Sequence, residues 1–498
     1  MSPRPSTGPL VVALIAGAVV WSAGVFGAYG WFTDELYFLM CARHPALGYV
    51  DHPPLATLLL AVVRVVCDDR LALIRLVPTA AYAASIVLVG RLARSLGGGA
   101  FAQTLAAAVF ASAPAVLVIA GFYSMNPFEL LFTLLLAHVA LALTRGADPR
   151  AWLTYGVLTG VALLDKHSAL LPAGLLALAT LASPARAHLA TRWPYLGIAA
   201  AALVASPNLL WLALHHGITL EFYEVSVPLK NIHQSPAEAL VGQALFVGPM
   251  AFLIAVAGAL SLARARAQRG FALAFALALG LMMTSGISRA DRILAIYPLF
   301  IAAGACVLER LTRDNMLRRV AVSAVLAISA APPLPLVLPI LPPALVVRYS
   351  TVLGVTPQLE IAKRGAMPQW LGDKRGWPEA VEETLAAFHR LPAADQQRTV
   401  VFGADYGIAG ALDLDGRLRA PIISTHDELW LRGPGPVANA VVLAVGHDAA
   451  YWTALYAEVE RAGTIHCTGC MIDNTPIWVA RGDRPGLAAR WTQLRRLE

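Results

Sequence analysis

The sequence predicts a polytopic α-helical membrane bundle of about 11 transmembrane helices, followed by a C-terminal extracytoplasmic α/β domain. Composition is the first reason. Of 498 residues 58% are hydrophobic and only 14% charged, whereas a soluble domain carries about 25% charged residues to cover its surface. Patterning is the second: apolar stretches near 20 residues recur through the first 340 or so positions, with a mean hydropathy of +0.63 over the chain. The third is a change of character near 345, where long apolar runs give way to short ones separated by amphipathic segments. These observations exclude a soluble enzyme, a disordered chain and a DNA-binding factor. The net charge of +7 does not point to nucleic acid, because residues 1–350 hold 23 basic and 14 acidic side chains while 351–498 hold 15 and 17. The positive excess thus lies in the loops between apolar stretches, where membrane orientation accounts for it.

Spanning helices are expected at 9–32, 71–90, 98–118, 127–144, 151–164, 168–182, 193–214, 237–260, 271–287, 293–308 and 320–341. A crossing takes roughly 20 apolar residues, so the two short stretches flanking Asp165-Lys166-His167 fit least well. The first apolar run is too long for a cleavable signal and no small-residue cleavage site ends it. With the N-terminus cytoplasmic, Arg4, Arg91, Arg94, Arg145, Arg150, Arg186, Arg192, Arg264, Arg266, Arg269, Arg310, Arg313, Arg318 and Arg319 fall on the inner side, where the acids are Asp148, Glu309 and Asp314. Asp34, Glu35, Asp51, Asp68, Asp69, Asp165, Glu221, Glu224, Glu238 and Asp291 fall on the outer side. That asymmetry follows the positive-inside rule. The expected address is the cytoplasmic (inner) membrane, multi-pass, with the C-terminal domain outside.

The chain therefore divides into a membrane domain at 1–344 and an outward α/β domain at 345–498, with the Pro-rich run Pro332–Pro343 marking the exit from the last helix. In the second part Trp377–Arg390 reads as an amphipathic helix. Arg398–Gly403, Pro421–Ser424, Asn439–Gly446, Thr464–Cys467 and Pro476–Ala480 read as strands, and Ala449–Ala462 as a helix between two of them. Strands alternating with helices predict a mostly parallel sheet. Cys467 and Cys470 form a C-x-x-C in this domain. A local disulfide and a zinc site completed by His466 and another ligand are both open, and an oxidising compartment favours the disulfide.

Chemistry concentrates on the expected outer side. Asp34-Glu35 follows directly on the first apolar stretch, and Tyr49-Val-Asp-His-Pro-Pro54 precedes Leu55–Val66, an apolar segment too short to span that fits a helix lying on the membrane surface. A carboxylate at this depth can act as general base toward a hydroxyl; equally, Asp34 and Glu35 can simply terminate a helix. Lys166 and His167 sit between the two short helices, where charge near the hydrocarbon is costly and usually functional. A lysine there suits a lipid phosphate, or merely snorkels. Arg289-Ala-Asp-Arg292 with Tyr297 offers two further cations, either for a phosphate or for Asp291. Asn126 stands at a helix start, as an N-cap or as a ligand, with Glu129 one turn on. Neither a phosphate-binding Gly-x-x-x-x-Gly-Lys loop nor His-Glu-x-x-His is present.

These residues resemble the integral-membrane GT-C glycosyltransferases, within them the protein O-mannosyltransferase and lipid A aminoarabinose transferase group and the bacterial family 39 proteins. Asp34-Glu35 is similar to the group's first-loop motif, and Tyr49–Pro54 to the start of its juxtamembrane helix. Phe122-Tyr-Ser-Met-Asn126 with Glu129, and Leu164-Asp-Lys-His-Ser168, resemble the bacterial subgroup's middle motifs. Gly376-Trp377, Val401-Phe402, Tyr406-Gly-Ile-Ala-Gly410, Cys467-Thr-Gly-Cys-Met471 and Pro476-Ile-Trp-Val-Ala480 extend the likeness into the second domain. The resemblance implies inverting transfer of a sugar from a polyprenyl-phosphate donor to a hydroxyl acceptor (a cell-envelope glycan, lipid or protein) at the outer face of the cytoplasmic membrane. Asp34 would be the base. Glu35 and Asp51 would orient the acceptor or a divalent cation, a cofactor that the sequence leaves open. Lys166, with His52, His167 or Arg292, would hold the leaving phosphate, and Asn126 and Tyr297 would complete the substrate site. His52 stands where relatives carry a lysine, and the Arg289–Arg292 segment lacks the group's Pro-Asn-Trp-like element. A lipid-linked sugar flippase and a non-catalytic polyprenyl-phosphate binder are the alternatives. A flippase would need ionisable groups along a path through several helices, and here the helix interiors are nearly free of them.

Overall fold

Proline and glycine decide where the apolar stretches stop being single rods. The computed structural model describes residues 3–355, 357, 360, 365–484 and 486–498. Among these, Gly8–Phe26, Leu71–Ser95, Asn126–Thr144, Trp193–Leu214 and Ala290–Leu311 are long and apolar enough to cross a membrane, while Ala151–Asp165 and Arg269–Thr284 are apolar but shorter. Two of the expected spans are broken. The stretch 98–118 is Ala100–Ala111 followed by Pro114–Ala120 at a 66° bend, and 237–260 is Pro236–Val247 followed by Pro249–Arg264 at 106°. Pro114 and Pro249 each open the second piece at a position where a missing N–H costs nothing, and Gly248 takes φ +99° to turn the corner. The last expected span, 320–341, is Met316–Ala330 and then a single turn at Leu334–Val337, because Pro332 and Pro333 interrupt it.

The first stretch also differs from expectation, and this difference positions the site. Helix α1 is Gly8–Phe26 and ends at Gly27, which is extended (φ −67°, ψ 161°). A separate helix α2, Thr33–Ala42, then begins, so Asp34 and Glu35 occupy its first turn rather than a loop. Carboxylates are favoured there by the exposed N–H groups and the helix dipole. Glu35 folds back to accept the N–H of Phe32 (2.8 Å). Helix α3, Leu55–Cys67, is the short amphipathic segment expected: it buries Ala56, Thr57 and Leu60 and exposes Val62, Val65 and Val66.

Elsewhere small residues let helices touch. A Cβ on Gly258 would meet the backbone N of Gly304 at 2.6 Å, so Pro249–Arg264 and Tyr297–Leu311 pack backbone to backbone.

Two sheets are present among the described residues. β1 (Ile232–His233) pairs antiparallel with β2 (Ile287–Ser288). The larger sheet has the order β4-β3-β5-β7-β6, with β3 at Thr399–Gly403, β4 at Ile422–Ile423, β5 at Val441–Val445, β6 at Tyr456–Thr464 and β7 at Pro476–Asp483. β3 runs parallel to β4 and β5, in register Val401↔Ile422 and Val401↔Leu443. Both β3 and β5 are buried along their whole length, as the unbroken apolar runs of a central parallel pair require. The sheet is mixed rather than mostly parallel, because β7 is antiparallel to β5 and β6 antiparallel to β7. The expected helix Ala449–Ala462 stops at Thr453 and its remainder belongs to β6. Tyr456-Ala-Glu-Val-Glu-Arg has helical propensity, but pairing overrides it, and charge on an edge strand guards against further pairing. The helix Trp377–Arg390 lies where the sequence places it. Cys467 and Cys470 are disulfide-bonded.

The second unit is fastened to the first by main chain. Gly30 N–H donates to the carbonyl of Lys374 (3.0 Å) and Thr33 N–H to that of Asp373 (3.1 Å). The Trp377 indole donates to the Trp31 carbonyl (2.9 Å), and Arg43 joins α2 to Asp413 by an ion pair. Lys374 is buried against the Phe122 ring, 5.5 Å from its centroid. Burial, and then the Arg75 charge, push its ammonium down to about 7.

Candidate active site

Where the N-terminus of α2 meets the mixed-sheet unit, the structure encloses a cavity of about 570 Å³. Asp34, Asp51, Asn126, Lys166, His167 and Arg292 all line it, although they come from five separate stretches of sequence. Glu35, His52 and Tyr297, expected at the same site, do not reach its wall.

Glu35 is fully buried with both oxygens occupied. Oε1 accepts from Arg75 Nε and the Tyr123 N–H (2.9 Å each), and Oε2 accepts from Arg75 Nη2 (2.6 Å) and the Phe32 N–H. Arg75 itself is 1% exposed and also donates to the carbonyls of Gly24 and Gly30. Glu35 is therefore the pillar of the loop, not a group that faces a substrate. His52 is buried behind Asp51, with Nδ1 3.0 Å from Asp51 Oδ1 and Nε2 2.8 Å from Thr57 Oγ1. Tyr297 is 1% exposed and spends its hydroxyl on Gln243 Oε1 (3.0 Å).

Several cations line the cavity. Lys166 Nζ donates to Glu129 Oε2 (2.7 Å) and Asn126 Oδ1 (2.8 Å), while Ser168 Oγ donates to the other Glu129 oxygen (2.8 Å). Asn126 thus holds the lysine instead of capping its own helix, whose N-cap is Met125. His167 lies between Asn208 Oδ1 (2.8 Å) and the Tyr223 hydroxyl (3.0 Å). Arg289 is clamped by Asp291 and Glu360, at 3.0 and 2.9 Å, and Arg292 reaches Asn231 Oδ1 at 3.5 Å. Lys230 lines the same cavity.

Carboxyls and aromatic rings line the cavity as well. Tyr37, one helical turn beyond Asp34, donates to Asp51 Oδ1 at 2.6 Å and accepts the Glu428 N–H at 3.2 Å. Burial opposes ionisation of Asp51, but the His52 imidazole and the hydrogen bonds from His52 and Tyr37 hold its carboxyl below the usual range. Asp427, facing it, is pushed well up by burial and then by the Asp51 charge. Like charges in one site do not both ionise readily, so of the two Asp427 is the one more readily protonated. Tyr406 donates to Asp34 Oδ1 (3.2 Å); burial, then the Asp34 carboxylate, keep its phenol protonated.

Glu428 also spans the two units, accepting the Val50 N–H at 3.1 Å. Burial raises its carboxyl to about 7, with Asp51 adding to the shift and the Val50 hydrogen bond opposing it. A carboxyl raised on folding stabilises the fold fully below its unfolded value, and the stabilisation is lost as pH rises through the folded one. Thermal unfolding at pH 5.5 and 8.5 should thus show wild type losing more stability toward the higher pH than Glu428→Gln. Parallel shifts in the two proteins would refute the assignment. His52, Asp51 and Arg432 face Glu428 in both proteins, so the difference isolates the one carboxyl.

Among the described residues no three His, Cys, Asp or Glu side chains are grouped closely enough to hold a metal ion. The cavity residues to which the sequence reading gave no role include Tyr37, Tyr223, Lys230, Tyr406 and Asp427. Tyr406 lay inside a recognised motif, but nothing in one sequence says that residue 406 meets residue 34.

Comparison with known proteins matches this arrangement to a fold. A family model described as dolichyl-phosphate-mannose-protein mannosyltransferase matches residues 51–211. The crystal structure of ArnT from Cupriavidus metallidurans bound to undecaprenyl phosphate superposes with a TM-score of 0.60 at 14% identity, over 96% of this chain and 98% of that one. The chain has the fold of ArnT. The ArnT-like fold makes it a multi-pass membrane protein, in keeping with its several apolar helices. AftD, a mycobacterial arabinofuranosyltransferase, has the same architecture in part, with a TM-score of 0.52 at 15% identity over 97% of this chain and 42% of its own. By sequence, the lipid A galacturonosyltransferase RgtD of Rhizobium johnstonii is 29% identical over 226 residues, 44% of this chain. That match spans about half (46%) of the relative's length.

Proposed function

We propose that the chain is an inverting glycosyltransferase that moves a sugar from a polyprenyl-phosphate donor to a hydroxyl acceptor at the outer face of the cytoplasmic membrane. The observation that carries the reading is that one cavity is lined both by cations, Lys166, Arg292 and Lys230, and by the carboxylates Asp34 and Asp51. Donor and acceptor need opposite electrostatics, and the cavity offers both. The ArnT fold, one of whose solved forms holds undecaprenyl phosphate, supports the donor class.

In this reading Asp34 takes the proton of the acceptor hydroxyl, and the resulting oxygen attacks the anomeric carbon from the face opposite the phosphate. The bond from the anomeric carbon to the phosphate oxygen breaks and its electron pair leaves on the polyprenyl phosphate. Lys166 and Arg292 meet that growing charge, with Asn126 and His167 orienting the donor around Lys166. A phosphate needs no proton to depart at neutral pH, so one base and these cations suffice. Asp51, fixed by Tyr37 and His52, orients the acceptor.

The same reading divides the chain into a membrane domain at 1–344, with about 11 crossings, and an extracytoplasmic domain at 345–498. It puts α3 flat on the outer leaflet, since Val62, Val65 and Val66 project from its exposed side. The positive-inside distribution of arginines supports a cytoplasmic N-terminus.

Mass spectrometry of envelope lipids, glycans and proteins with and without the gene tests the function. Loss of one defined sugar residue from one acceptor class is expected, and restoring the gene should return it. An envelope unchanged in every fraction would overturn the proposal.

A further inference from the structure

The motif Tyr406-Gly-Ile-Ala-Gly410 has no part in the reaction as written above, yet its first residue touches the candidate base. β3 ends at Gly403 and Asp405 caps the next helix, Tyr406–Asp415, by accepting the Ile408 N–H (2.8 Å). That strand–turn–helix unit delivers Tyr406 at the first helical position. The helix then lies directly on α2. A Cβ on Gly410 would stand 2.8 Å from the Leu36 Cβ and 3.0 Å from its carbonyl carbon, closer than real Cβ contacts allow. One on Gly407 would overlap Thr33 Oγ1 and stand 2.7 Å from the Trp377 ring. Two glycines three apart thus set the approach of this helix to the turn that carries Asp34. Tyr406 is held from behind: its ring packs on Tyr37 and His426, with centroids 4.7 and 4.6 Å away, and its N–H donates to His426 Nδ1 (3.3 Å).

We infer that Tyr406 is a positioning residue for the transfer, so that the mixed-sheet domain completes the catalytic base instead of merely covering it. Its hydroxyl, 3.2 Å from Asp34 Oδ1, restricts the rotation of that carboxylate within the cavity. Tyr406 acts through Asp34 and exchanges no atom with substrate. The inference rests on the reading of Asp34 as base.

The test uses the full-length purified enzyme, the polyprenyl-phosphate form of the sugar that the envelope comparison identifies, and undecaprenyl phosphate as a separate binding probe. Tyr406→Phe should lower kcat by about 10- to 100-fold, the scale of a misaligned catalytic group, with the donor KM and undecaprenyl phosphate affinity nearly unchanged. Gly410→Ala, which leaves Tyr406 intact but lifts its helix off α2, should lower kcat in the same direction. An unchanged kcat in active Tyr406→Phe enzyme overturns the inference and leaves the proposed function standing. A joint fall of kcat, undecaprenyl phosphate affinity and thermal midpoint in Tyr406→Phe makes the tyrosine structural and likewise overturns it. A wild-type enzyme that transfers nothing removes the base reading itself, and this inference with it.

Discussion

Asp34→Asn should reduce transfer by a factor of about 10³ or more while leaving undecaprenyl phosphate binding and thermal stability close to wild type. General-base assistance is worth about 10²–10⁴ in rate, and an amide at the same place cannot accept the acceptor's proton. The geometry favours a clean result. Asp34 is on the first turn of α2, half-buried at the cavity, and the donor's phosphate would bind around Lys166, a different lining residue. Asn keeps the size of the side chain and can still accept the Tyr406 hydrogen bond. Single-turnover transfer and equilibrium binding of undecaprenyl phosphate, measured on the same preparation, separate the two functions of the cavity. Turnover at the wild-type rate in the purified variant would take Asp34 out of the mechanism. Equal loss of phosphate binding would instead make it a ligand of the donor.

Much of this site was legible in the sequence, because its residues break local rules. Lys166 and His167 interrupt apolar sequence, Asp34-Glu35 and Asp51-His52 cluster beside it, and Arg289–Arg292 stands between two apolar runs. Charge beside hydrocarbon is expensive, so it is conspicuous. The reading failed where roles depend on partners far along the chain. Glu35 and Asp34 are adjacent and chemically alike, but α2 turns one inward onto Arg75 and the other outward to the cavity. A helix of ten residues was invisible there, since residues 33–42 follow directly on the expected span 9–32 and read as its outer loop. The Asn126 cap reading failed similarly, because its partner Lys166 lies 40 positions away. In the second domain local apolar runs located β3, β5 and β7, which lie in the sheet's interior. The edge strand β6 has no such run, and only its ladder with β7 makes it a strand.

Arg75→Met should be the most destabilising single change near the site, costing about 3–5 kcal/mol, the usual result of removing one partner from a buried ion pair. Both side chains are out of solvent, with 2% of the Arg75 side chain and none of that of Glu35 exposed. Four acceptor groups share this guanidinium: the two oxygens of Glu35 and the carbonyls of Gly24 and Gly30. Methionine fills the volume but satisfies none of them, and leaves Glu35 charged among apolar neighbours with only the Phe32 and Tyr123 amides. Arg75→Lys should be intermediate, because one ammonium cannot serve acceptors spread around a planar fork. Glu35→Gln should also lower the thermal midpoint, since it strips the charge that the buried arginine requires. That last variant distinguishes the pillar from the acceptor-orienting role that the family resemblance implies. A residue that only oriented an acceptor would lose transfer at an unchanged midpoint, whereas the pillar must lose stability first. Because α2 carries Asp34 and Glu35 on the same turn, the geometry of the base depends on this pair. Transfer should decline in the Glu35 and Arg75 variants in the order of their thermal midpoints, and a variant that kept its midpoint but lost transfer would break that dependence.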